Sequence, residues 1–121
     1  MRRRTYRQLR AKSDASLHHH VYVVELESVV AKFQEVRVEN PAANPAMPCI
    51  YVGMTGLNPE ERFANHKAGV KASSFVQRFG IRLLPELFEH LNPMPYDAAV
   101  IMERELAEDL RGQGYTVTGG H

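Results

Sequence analysis

The chain has one cysteine, no long apolar run, no internal repeat and almost no net charge, and each of these shortages narrows what it can be. A lone Cys49 cannot close an internal disulfide, and without a second cysteine nearby it cannot anchor a sulfur-rich zinc site, so core packing is its expected role. No apolar stretch approaches the ~20 residues needed to cross a bilayer, and the arginine-rich start is not followed by the apolar segment of a secretory signal. A cytoplasmic protein with no membrane partner is therefore expected. No heptad pattern marks a coiled coil. At 121 residues the chain supports one domain with one core and is too short for two.

The net charge of +1 conceals an uneven distribution, because residues 1–20 carry six Lys or Arg against one Asp and the remainder is mildly acidic. This pattern predicts a flexible basic arm over residues 1–19, suited to long-range attraction to a polyanion, and a folded domain over residues 20–121. The run His18, His19, His20 invites a metal reading. Alternation of strand side chains prevents three consecutive histidines from facing one ion, so a linker or tag fragment is the expected reading.

From Val21 the β-branched and aromatic run predicts a first strand over residues 20–26. Residues 27–38 mix helical and alternating spacing and lean towards a short helix. Three prolines within Asn40 to Pro48 forbid a regular element, and Cys49 to Gly53 then reads as a buried second strand. Asn58, Pro59 and Glu61 form an N-terminal signature for a helix over Pro59 to about Lys67, ended by Gly69. A short helix over residues 73–79, an edge strand over residues 81–87 weakened by Pro85, and a long helix from Tyr96 to Arg111 stopped by Gly112 complete the chain.

That long helix carries an anomaly. At about 100° per residue, Ala99, Met102, Leu106 and Leu110 share one stripe and Glu103 lies against it, whereas Glu105, Glu108 and Asp109 fall further round and look solvated. A buried carboxylate needs an arginine, hydrogen-bond donors or a cation, and a structural pair with Arg62 or Arg82 is the simplest answer. Arg62 and His66, four residues apart, project from one helix face and can meet one ligand, the first as a fixed charge suited to phosphate and the second as a proton donor, acceptor or relay. Tyr22 and Tyr51 place phenols within buried strands, where each needs a polar partner.

The order Tyr-Val, Tyr-Val-Gly, Arg with His four later, and a core-side Glu in a downstream helix resembles the GIY-YIG nuclease superfamily. His20-Val21-Tyr22 stands where the first motif falls, Tyr51-Val52-Gly53 matches the second closely, and the run to Thr55 followed by Arg62, His66 and Gly69 is the most specific part. The helix from Ala98 to Glu103 aligns with the one bearing the family's metal-binding glutamate, and the resemblance covers about residues 20–118. Three departures stand out: the first motif lacks its glycine and isoleucine, residues 28–48 intervene as an insertion that could serve specificity, and Tyr115 to His121 replaces an asparagine often found after the last helix.

The resemblance implies an α/β (α+β) fold with a small central three-stranded, mainly antiparallel sheet flanked by helices. It implies a catalytic set of Tyr22 as general base, Tyr51, Arg62 as phosphate clamp, His66 and Glu103, with substrate contacts at Gly53, Thr55, Lys67 and Lys71. Glu103 would ligate Mg2+ (or Mn2+), a choice consistent with an ion that takes one or two carboxylates and leaves its other positions to water and phosphate. DNA is the implied partner, with RNA also open, and cleavage of both strands would call for a homodimer or partner protein. The alternative is a nucleic-acid-binding module of the same fold without catalysis.

Overall fold

A computed structural model of the chain describes residues 17–121, so the predicted basic arm lies, up to Ser16, outside the described residues. Strands β1 (His20–Leu26) and β2 (Cys49–Thr55) form the centre of the sheet and pair antiparallel along their whole length, Tyr22 opposite Gly53 and Val24 opposite Tyr51. Both phenols therefore project from the same face, because directly opposed residues share a side and side chains alternate along a strand. Five of the seven residues of β1 are buried, which requires cover on both faces.

Helix α1 (Gln34–Glu39) follows a 3-10 turn over Ser28–Lys32, so the ambiguous segment is helical, in two short pieces. Its role is packing: Val30 and Val36 are buried, and the Phe33 ring meets Phe75 and Phe79 edge-on at 5.3 and 5.8 Å. The expected core role of Cys49 holds too, as it is buried and shielded.

Helix α2 (Pro59–Ala68) begins with the reciprocal cap its sequence announced, Asn58 Oδ1 accepting from Glu61 N–H at 2.8 Å and the Glu61 carboxylate accepting from Asn58 N–H at 3.5 Å. It ends at Gly69, whose φ of 83° puts it in the left-handed region glycine favours. Helix α3 (Ser74–Phe79) runs into strand β3 (Gly80–Leu83), which pairs antiparallel with the outer side of β1. The strand expected to reach Leu87 stops at Leu83, and Pro85 instead opens a 3-10 turn, since proline cannot donate to the ladder. Helix α4 (Tyr96–Gly112) buries Ala99, Met102, Leu106 and Leu110 as its spacing requires.

The α+β class agrees with expectation, but the three-stranded, mainly antiparallel sheet does not. The sheet has four strands in the order β3-β1-β2-β4, because β4 (Thr116–Gly119) returns alongside β2 in parallel. The free edge of β4 is closed by one side chain: Asn40 Nδ2 donates to Val117 O at 3.0 Å and Asn40 Oδ1 accepts from Val117 N–H at 2.9 Å, as a neighbouring strand would. Two of the three consecutive histidines, His19 and His20, are built into the domain, His20 as the first residue of β1. His19 exchanges both backbone hydrogen bonds with Met94 and sets its ring edge-on to Tyr96 at 5.2 Å. No helix among the described residues is long and apolar enough to cross a membrane.

Candidate active site

Three of the predicted residues meet directly beneath α2. Tyr22, from the middle of β1, is almost wholly buried, and its Oη lies 2.8 Å from Nε2 of the fully buried His66. Tyr51, two rows along the same face, sets its ring at 6.2 Å from Tyr22 and edge-on to His66 at 5.5 Å. Gly53 is what lets the phenols approach, since a Cβ there would stand 2.6 Å from both Cζ and Oη of Tyr22 and 2.9 Å from the Tyr51 ring.

The protonation of His66 follows from its surroundings. Its Nδ1 lies 3.0 Å from the backbone N–H of Ser73 and must accept from it, so the ring proton sits on Nε2 and is donated to the Tyr22 oxygen. Burial, reinforced by the nearby charge of Arg62, lowers its pKa to about 4, which keeps the ring neutral in this single tautomer at ordinary pH. His66 can therefore steady a phenolate at Tyr22 by donation, but it cannot take the phenol's proton.

Charges from two other elements reach the same spot. Burial raises the Tyr22 phenol, as does the neighbouring Tyr51, while Arg62 opposes them. Tyr51 is raised by burial and then by the Glu103 carboxylate, again with Arg62 opposing. Glu103 thus couples electrostatically to both phenols although it comes from α4. Only 8% of Glu103 is exposed, and burial pushes its carboxyl up to about 7 despite the adjacent Arg104. Neither expected ion pair forms: Arg82 Nε donates to Glu25 at 2.9 Å, and Arg62 sends Nη1 to Val70 O at 3.1 Å and Nη2 to Lys71 O at 2.8 Å. Neither arginine donates to Glu103, whose burial is met by a carboxyl that holds its proton up to about pH 7, or by a cation if one is bound. A single carboxylate suits magnesium or manganese better than a structural ion, and no cluster of three or more His, Cys, Asp or Glu is arranged around a metal among the described residues.

The predicted substrate contacts divide. Gly53 lies under the phenols, whereas Thr55 is turned to its own chain, its Oγ1 accepting from Leu57 N–H at 3.0 Å. Lys67 donates to Gln77 O at 3.1 Å and Gly80 O at 2.9 Å, fastening α2 to the end of α3. Lys71 is exposed, with φ of 47°, in the loop that Arg62 holds. At the C-terminus, Tyr115 packs against the core and His121 is exposed in a groove with Arg104 and Arg111, so neither joins the phenols.

Sequence reasoning missed Ser73 and Gly119. The Ser73 backbone N–H sets the His66 tautomer, and only its capping side chain had a readable signal. Gly119 (φ 73°) passes so close to β2 that a Cβ would stand 2.8 Å from the Tyr51 ring; a glycine pair near the C-terminus was the one available hint. Comparison with family models, curated proteins and solved structures gave no match to this chain.

Proposed function

We propose that the chain is a divalent-metal-dependent endonuclease that hydrolyses DNA phosphodiester bonds by a GIY-YIG-type mechanism. The observation carrying this reading is the convergence of one buried and one half-buried phenol on a neutral imidazole, within electrostatic reach of one arginine and one buried carboxylate. A structural cluster has no need of that combination, whereas hydrolysis of a phosphodiester needs a base, a cationic clamp and a seat for a metal ion.

Tyr22 Oη takes the proton of the attacking water as the phenolate, its own proton having first passed to solvent. An unperturbed phenol, with pKa about 10, is a poor base at neutral pH, and burial makes it poorer. Two features work the other way: the His66 Nε2–H aimed at the oxygen, and the charge of Arg62. Arg62 faces the scissile phosphate and steadies the charge that grows as a fifth oxygen nears phosphorus. To do so with both Nη atoms it must release the Val70 and Lys71 carbonyls, so substrate binding loosens the loop after α2. Glu103 would hold Mg2+ or Mn2+, which when bound neutralises the leaving oxygen.

Purified protein with labelled DNA and magnesium is expected to yield nicks or breaks that Glu103→Ala abolishes; a variant that cuts as well as the parent refutes the assignment. The second reading, a binding module without catalysis, is favoured by the engagement of both Arg62 Nη atoms within the fold. It predicts salt-dependent DNA association with no metal-dependent product.

A further inference from the structure

Arg62, the group assigned to the phosphate, is already engaged. It donates from Nη1 to Val70 O at 3.1 Å and from Nη2 to Lys71 O at 2.8 Å, so the fork that suits two oxygens of a phosphate is filled by two carbonyls of the chain's own backbone.

The loop supplying those carbonyls is pinned at both ends and poised between them. At its start Gly69 N–H donates to His66 O at 3.1 Å and Val70 N–H to Asn65 O at 2.9 Å, closing the end of α2; at its end Ser73 N–H donates to His66 Nδ1 at 3.0 Å. Between these pins the carbonyls of Val70 and Lys71 are held by Arg62. Both residues are exposed, so little packing resists their movement. Lys71 has φ of 47°, in the left-handed region where a residue bearing a Cβ is strained. The loop therefore pays for the conformation in which it faces Arg62, and the two charge-assisted bonds offset that strain.

We propose that Val70 and Lys71 form an autoinhibitory latch, whose carbonyls mask Arg62 in the free protein until a substrate phosphodiester displaces them. The inference rests on the nuclease reading and adds a mode of regulation to it. Substrate competes with the chain's own backbone, and its apparent affinity falls by the fraction of molecules in which the latch stands open. Because Ser73 is pinned separately, the latch opens without releasing His66, and the imidazole keeps its Nε2 proton aimed at Tyr22.

Position 71 allows a test at constant charge. Lys71→Ala, Lys71→Gly and Lys71→Pro lose the same ammonium group but differ in the backbone they allow. Alanine keeps the strain, glycine adopts a positive φ freely and tightens the latch, and proline, with φ fixed near about −65°, forbids it. Binding of a fluorescent single-stranded oligonucleotide to the full chain, without magnesium, is expected to be tightest for Lys71→Pro, intermediate for Lys71→Ala and about fivefold weaker than that for Lys71→Gly. Cleavage with magnesium at subsaturating protein is expected to follow the same order. Lys71→Pro binding no tighter than Lys71→Ala, or Lys71→Gly binding as tightly as Lys71→Ala, overturns the proposal. Should melting curves show that Lys71→Pro does not fold, the alanine and glycine variants decide it alone. If no variant binds or cuts DNA, the nuclease reading fails and titration with inorganic phosphate decides the latch separately: the same order of affinities supports it, and equal affinities or no binding overturn it.

Discussion

At the scale of single residues, the side chains of the candidate site stood out in the sequence because each broke a local rule. Glu103 sits beside an apolar stripe, and Tyr22 and Tyr51 put hydroxyls into buried strands. Their partners were not legible, because Ser73 and Gly119 act through backbone geometry that only folding creates. The Glu103 carboxyl yields a prediction with a definite sign. Burial raises it from 4.5 to about 7, so the folded chain keeps a proton that the unfolded chain releases. Its stabilising contribution is complete below about pH 4.5 and lost as pH rises through about 7. Melting curves without metal are therefore expected to show Glu103→Gln gaining on the parent between pH 5 and pH 8, and magnesium to raise the melting temperature of the parent alone at pH 8. His66 has the opposite sense: lowered from 6.5 to about 4, its contribution is intact above 6.5 and lost as pH falls through 4. Because proton and metal compete for Glu103, the acid limb of a kcat/KM profile is expected to move to lower pH as magnesium is raised, with no step from His66 near neutral pH.

At the scale of elements, β1, β2, α2 and α4 could be read because each carries a local signal: a β-branched run, a capping box, a sustained apolar stripe. Strand β4 could not. It is four residues long, ends in glycine, and owes its existence to parallel pairing with β2 across more than sixty positions, which no local pattern encodes. Its dependence on Asn40 is open to test. Asn40→Ala leaves buried Val117 N–H and C=O groups unpaired and is expected to cost about 1–3 kcal/mol in denaturant melts. Gly53→Ala forces a methyl into the Tyr22 ring, with an expected loss of about 1–3 kcal/mol and a larger fall in cleavage, since the phenol must move off His66. A Gly53→Ala protein as stable and active as the parent would show that the packing of the two phenols is not tight.

At the scale of the whole molecule, the sheet displays two phenols on one face of its central strands, α2 lays an arginine and an imidazole over them, and α4 supplies an acid from a third direction. On the nuclease reading, the basic segment at residues 1–16 is expected to add to DNA affinity. Its removal is expected to weaken DNA binding and flatten the salt dependence, by about one unit of slope for each phosphate no longer neutralised, while cut positions stay the same. The central claim, that Tyr22 carries a proton in hydrolysis, is tested most directly by single-turnover cleavage of labelled DNA at saturating protein, comparing the parent with Tyr22→Phe. Loss of one hydroxyl is expected to slow the reaction about 10²–10⁴-fold with DNA affinity maintained. A phenylalanine variant cutting at the parent's rate would contradict the account.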